Sequence, residues 1–233
     1  MLEAEGRVVM VTGANRGIGR AIAKKLLERG YTLSLGARDS GKLETWERSR
    51  VLTACFEATD KRTHRAWVDA TIARFGRIDG LVNNAGMSGR ISIEDEDDDA
   101  IDQVWQVNVK APLSMIRLCL PYLRASGNGR IINVASLSGK RVRNDNVAYN
   151  MSKFAVMALT HSARRLGWED GVRATALCPS FVQTAMTSGV TKVDASEMIA
   201  PDDLAELAAV IMALPNTASI AELLVNCRLE DMV

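Results

Sequence analysis

Short aliphatic runs alternate with longer segments of helical period along the whole chain, and this alternation constrains the fold more than any other feature. Strands are predicted over Arg7–Thr12, Thr32–Gly36, Val51–Phe56, Gly80–Val82, Arg130–Val134, Val172–Leu177 and Glu222–Asn226. Helices are predicted over Gly17–Arg29, Lys61–Phe75, Ala100–Arg124, Tyr149–Leu166 and Asp202–Ala213. Strands that are apolar along their length have no polar face for water, so a parallel sheet covered by helices on both faces is expected. Right-handed crossovers make this an α/β, doubly wound parallel sheet of about seven strands, with a ligand crevice at the strands' carboxyl ends. No repeat, low-complexity tract or convincing linker divides the chain, so residues 1–233 read as a single domain.

Charge excludes several partners. With 29 basic and 28 acidic residues the net charge is +1, too weak a field to suggest nucleic acid or an anionic membrane. Cys55, Cys119, Cys178 and Cys227 form no C-x-x-C pair, and only His64 and His161 are available as imidazoles, so neither a disulfide frame nor a metal centre is expected. The acidic run Glu94–Asp99 precedes a predicted helix, where carboxylates meet the positive end of its dipole. No apolar stretch reaches membrane-spanning length and the first residues lack the order of a secretion signal, so a soluble cytoplasmic protein is expected.

Thr12-Gly13-Ala14-Asn15-Arg16-Gly17-Ile18-Gly19 follows the first strand and opens the first helix. Glycines here allow a tight turn and let the backbone approach a pyrophosphate set against the N–H groups of the helix start. Together with Asn83-Asn84-Ala85-Gly86 after the fourth strand and Tyr149-x-x-x-Lys153, this loop resembles the short-chain dehydrogenase/reductase family, in its order and spacing, from the first strand to Thr184. The resemblance implies a Rossmann-type oxidoreductase domain. It makes Gly13, Asn15, Arg16, Gly17, Ile18, Gly19, Asn84, Ala85, Gly86, Pro179 and Thr184 cofactor contacts, and Phe181–Ala200 a short substrate loop.

It also implies that the second strand ends beside the adenosine ribose. The position where an acid would bind a free ribose diol holds Ala37, followed by Arg38, with Arg16 nearby in the glycine loop. Guanidinium groups suit phosphate oxygens, so NADP(H) is the expected cofactor, with Asp39 as a rival partner for Arg38. For the adenine contact, Glu57 stands where the family usually has Asp, and Asp60 is a rival.

Tyr149 and Lys153 share a helix face, and Ser136 lies just past the fifth strand. By resemblance these three and Asn108 form the catalytic set. Tyr149 exchanges a proton, Lys153 lowers the phenol's pKa and holds the nicotinamide ribose, Ser136 binds the substrate oxygen, and Asn108 positions a water. Tyr149 and Lys153 therefore also count as cofactor contacts, and Ser136, Asn146 and Phe181 as substrate contacts. Arg141 and Arg143, between Ser136 and Tyr149, are either solvated cations, subunit contacts or receivers of a substrate carboxylate or phosphate. The expected substrate is a small or medium carbonyl compound or alcohol, and the expected assembly a homodimer or homotetramer. Two other readings stand beside it: an NADP(H)-sensing regulator without turnover, and an epimerase or dehydratase on the same scaffold.

Overall fold

The aliphatic runs become seven strands in a computed structural model that describes residues 1–44 and 46–229. They are β1 (Val8–Thr12), β2 (Thr32–Ala37), β3 (Val51–Cys55), β4 (Gly80–Asn83), β5 (Arg130–Val134), β6 (Arg173–Pro179) and β7 (Glu222–Val225). All pair in parallel, in the order β3-β2-β1-β4-β5-β6-β7. The helices are α1 (Gly17–Glu28), α2 (Lys61–Phe75), α3 (Asp98–Trp105), α4 (Ala111–Ala125), α5 (Val147–Gly167) and α6 (Pro201–Ala213). The expected doubly wound α/β sheet is the fold observed, and predicted elements match to within a residue or two at each end. No helix among the described residues is long and apolar enough to cross a membrane.

The strand register builds two cores. Met10, Leu81, Ile131 and Ala174 are successive partners across β1, β4, β5 and β6, and all point to the layer of α2, α4 and α5. The next row, Val11, Val82 and Ile132, points to the opposite layer, where α1 packs on α6. Strict alternation of faces lets wholly apolar strands feed both layers.

Parallel crossovers also sort the helix ends. The last turns of α5 and α6 gather at the amino edge of the sheet, and three buried arginines meet their carbonyls there. Arg7 donates to Met212 O (2.9 Å), Arg130 to Leu214 O (3.2 Å from Nε), and Arg173 to Trp168 O (2.8 Å). Burial and the neighbouring Arg7 and Arg173 charges push Arg130 down to about 10. Cations suit the negative end of a helix dipole, which leaves the positive ends for the carboxyl edge.

The helix predicted over Ala100–Arg124 is broken by a π turn at Gln106–Lys110, between α3 and α4. Pro112 has no N–H for the carbonyl of Asn108 four residues earlier, and the Ala111 N–H bonds instead to Gln106 O, widening the helix.

Trp67 on α2 is fully buried against Phe56, and its Nε1 donates to Ser34 Oγ (2.8 Å), which also pairs with Thr71 Oγ1 (2.7 Å). Trp67→Ala should lower unfolding free energy by about 3–5 kcal/mol, read from urea denaturation followed by circular dichroism.

Candidate active site

Strand order reverses between β1 and β4, and the residues at their carboxyl ends hold each other. Thr12 Oγ1 accepts the backbone N–H groups of Asn84 (2.9 Å) and Ala85 (3.0 Å). The Asn84 amide donates back to Thr12 O (3.0 Å) and Gly13 O (3.1 Å), while the Gly13 N–H bonds Gly36 O (2.8 Å). Asn84 and Ala85 thus fix the shape of the glycine loop. Gly13 has φ +65°, and a Cβ there would come within 3.0 Å of the Ala85 Cα, so only glycine fits. A Cβ on Gly17 would lie 3.3 Å from the Thr184 methyl, which places Thr184 over the start of α1.

Helix α1 opens without a side-chain cap and without an acid in its first turn. By contrast, Asp60 caps α2, Asp97 caps α3 and Asn146 caps α5. Uncapped N–H groups and the positive dipole end make the start of α1 a fit for a diphosphate.

Ala37 is buried at the end of β2, and Arg38 and Arg16 are exposed beyond it. Among the described residues neither arginine has an ion-pair partner. Asp39 is engaged elsewhere: it accepts the Gly41 N–H (3.0 Å) and pairs with Lys42 (3.4 Å), so the rivalry for Arg38 is absent. At the adenine end, Asp60 is spent on the α2 cap and on Arg62 (2.8 Å), which holds its carboxyl down at about 2. The Glu57 carboxylate accepts from the Thr59 N–H (3.3 Å) and hydroxyl (3.2 Å).

The four expected catalytic residues come from three places at the same sheet edge. Ser136 follows β5 and caps the short 3-10 turn Leu137–Gly139, its Oγ accepting the Ser138 N–H (3.1 Å). Tyr149 and Lys153 lie one turn apart on α5, and the Lys153 Nζ sits 5.4 Å from the centre of the Tyr149 ring. That ammonium donates to Val134 O (2.9 Å) at the end of β5, tying α5 to the strand. Asn108 stands in the π turn. Its Oδ1 accepts the Met87 N–H (2.9 Å), and its Nδ2 donates to Met87 O (2.8 Å) and to Ser152 Oγ (2.9 Å). The asparagine therefore reaches the residue before Lys153, not Lys153 itself, and its side chain anchors the loop after β4. Beneath it, Asn83 donates to Asn133 Oδ1 and Asn133 to Thr160 Oγ1, both at 2.8 Å, locking β4, β5 and α5 together.

The electrostatics depart from the sequence expectation in one respect. Burial pushes the Tyr149 phenol up, and the Ser136 hydroxyl, as a hydrogen-bond partner, pulls the other way. The Lys153 ammonium lies beside the ring and is bonded to Val134 O. Burial also depresses Lys153, to about 8, with the nearby Cys178 opposing weakly. Both shifts disfavour charge in an apolar setting.

On the substrate side, both polar atoms of Asn146 are in use: Oδ1 accepts the Tyr149 N–H (3.2 Å) and Nδ2 donates to Ser88 O (2.9 Å). It shapes the wall before Tyr149. Gly86 is exposed beside Asn108 Oδ1, and Pro179 is buried at the end of β6. Phe181 is half-buried, its carbonyl taken by the Ile199 N–H (3.0 Å). Ser180, where the family usually has glycine, uses its hydroxyl to accept the Cys227 N–H (2.9 Å), joining the segment after β6 to the chain beyond β7. Thr184, Thr187, Val190 and Met198 line a cleft of about 290 Å³ in that loop. Thr12, read only as the first residue of the glycine motif, and Ser152, which no motif marks, are positioning residues that act through Asn84, Ala85 and Asn108.

The Lys153 shift has a consequence for stability. Between about pH 8 and the ordinary lysine range, the unfolded chain keeps a proton that the folded chain has released. This group therefore makes stability rise with pH through that interval. Urea denaturation at pH 8 and pH 10 should show the rise in the wild type relative to Lys153→Met, in which it is absent.

Comparison with known proteins places this geometry. The family model for short chain dehydrogenase matches residues 7–195. The chain is 42% identical over 229 residues to agropine synthesis reductase of Rhizobium rhizogenes, covering 97% of this chain and 53% of that protein. It thus spans about half the length of the two agropine synthesis reductases it matches. Among solved structures, a 3-ketoacyl-(acyl-carrier-protein) reductase from Brucella melitensis complexed with NADH is similar at TM-score 0.88 and 28% identity, over 96% of this chain and 98% of that one. A metagenomic short-chain oxidoreductase in complex with NADP is similar at TM-score 0.82 and 31% identity, over 98% and 100%. The motifs, the seven-stranded sheet and the matched span make this chain a member of the short-chain dehydrogenase family.

Proposed function

We propose that the chain is an NADP(H)-dependent oxidoreductase acting on a carbonyl or secondary alcohol of a small or medium substrate, with Tyr149 as general acid and base. The observation that carries this reading is the convergence of Ser136, Tyr149, Lys153 and Asn108 at one sheet edge, beside an uncapped glycine loop. Bound there, the nicotinamide supplies or accepts the hydride. Ser136 offers its hydroxyl to the substrate oxygen, and Tyr149 gives that oxygen a proton in reduction or takes it in oxidation. The raised phenol keeps its proton until the oxygen gains negative charge, and the Lys153 ammonium then opposes the charge left on the phenolate. An intact set of four favours turnover over a purely sensing role.

The Asn15–Gly19 loop at the start of α1 would hold the cofactor's diphosphate, Thr184 and Pro179 its nicotinamide half, and Arg16 and Arg38 its 2′-phosphate. Relatives have been solved with NADH and with NADP, so the preference here rests on Ala37 and the two unpaired arginines. A charge-assisted hydrogen bond contributes roughly 1.5–3 kcal/mol, enough for about a ten-fold preference. Assembly as a homodimer or homotetramer belongs to the same reading, supported by Met151 and Phe154, which are 44% and 43% exposed on α5.

Fluorescence titration should show NADPH binding about ten-fold more tightly than NADH or better, with Arg38→Ala erasing most of the difference. Equal affinity in the wild type would mean that the arginines do not read the phosphate. Tyr149→Phe should lower NADPH-dependent carbonyl reduction by roughly 10²–10⁴-fold while NADPH binding is retained. Full activity in that variant would remove Tyr149 from the chemistry.

A further inference from the structure

Arg90 stands on the loop after β4, and its mounting is more rigid than a solvated arginine requires. On one side, the Asn146 amide donates to Ser88 O (2.9 Å) and Gly89 O (3.4 Å). On the other, the Val147 N–H donates to Ile91 O (2.8 Å), and Ile91 is buried with Val104 and Ala148. Gly89 has φ +62° and lies so close to Val104 that a Cβ would meet its methyl at 2.7 Å. The backbone on both sides of Arg90 is thereby fastened to the first turn of α5, one turn before Tyr149.

From that mount the side chain crosses to the substrate loop. A Cβ on Gly189 would come within 3.0 Å of the Arg90 Nη2, so the guanidinium lies against the loop that begins with Thr184 over Gly17. Thr184 in that loop lies against Gly17 at the start of α1, and the backbone flanking Arg90 is tied to Asn146 and Val147 just before Tyr149, so Arg90 and the loop link the two sides of the candidate site. Among the described residues Arg90 has no ion-pair partner, and the carboxylates on the segments that follow Arg90 and Gly189 in the chain bond within their own turns. Asp95 accepts the Ser92 N–H (2.7 Å), Asp97 the Ala100 N–H (3.0 Å), and Asp194 the Ser196 N–H (2.9 Å).

We infer that Arg90 is a specificity residue that receives an anionic group, a carboxylate or phosphate, on the far side of the substrate from its reacting carbon. The inference rests on the oxidoreductase reading above and extends it to a substrate class. A guanidinium presents paired donors in a plane that matches either anion, and a fixed backbone reduces the ordering cost of using them.

The first measurement is NADPH titration of the wild type and Arg90→Gln, which should agree. A wild type that binds no NADPH would remove the oxidoreductase reading and this inference together. With NADP⁺ saturating, calorimetry or saturation-transfer NMR then compares two matched pairs: 4-oxopentanoate with its methyl ester, and dihydroxyacetone phosphate with dihydroxyacetone. At least one anion should bind about ten-fold more tightly than its neutral match. Arg90→Gln should abolish that preference and Arg90→Lys retain part of it. The pair that responds tells carboxylate from phosphate. No anion preference in the wild type, or one that survives Arg90→Gln, overturns the inference while leaving the oxidoreductase reading in place.

Discussion

A parallel sheet buried on both faces sets the terms for everything else in this molecule. Parallel strands need crossovers that run back along the sheet, and where these are helical the helices begin at the carboxyl edge and end at the amino edge. Their dipoles give the two edges opposite character. At the amino edge, carbonyls from α5 and α6 are met by Arg173, Arg7 and Arg130, three buried cations that need no carboxylate because the helix ends supply the negative charge. At the carboxyl edge, the reversal of order between β1 and β4 opens the crevice, and α1 begins there with neither a side-chain cap nor an acid in its first turn.

Within the crevice most polar side chains are holding structure, and only a few are in a position to do chemistry. Thr12 and Asn84 shape the glycine loop, Asn108 pins the loop after β4, and Asn146 both caps α5 and carries the wall in front of Tyr149. This division has a physical basis. A catalytic group is useful only if its place is set to a fraction of an ångström, and buried loops reach that precision by satisfying their backbone donors and acceptors with side chains. The pair that remains, Tyr149 and Lys153, is driven by burial toward the uncharged forms, with the phenol raised and the ammonium lowered. The opposite shifts separate the two groups in proton affinity, so the phenol holds its proton over a pH range in which the lysine begins to release its own.

The fold was legible because its information is local and repetitive. Runs such as Val8–Val11 are apolar at every position, and only a doubly covered strand tolerates that. The glycine loop, the asparagine pair and Tyr149 with Lys153 were legible for a related reason: each is a short constellation whose backbone geometry or helical spacing dictates its partners. The π turn was not read, although Pro112, four residues after Asn108, carried the signal. The side-chain bonds of Asn108 and Asn146 were not legible either, since their partners Met87, Ser152 and Ser88 belong to other segments.

Sequence by itself therefore determined the order of elements, the family and the cast of residues at the carboxyl edge, because these follow from periodicity and from motifs read within a few residues. Tertiary structure decided which of those residues are free to act. It engaged Asp39 with Lys42 and Asp60 with Arg62, put the Lys153 ammonium on Val134, and brought Arg90 against Gly189. Such assignments depend on distances between side chains from distant or alternative partners and on how deeply each is buried. Charge and hydrogen-bond energies change steeply with both, and neither is written in the linear order of the chain.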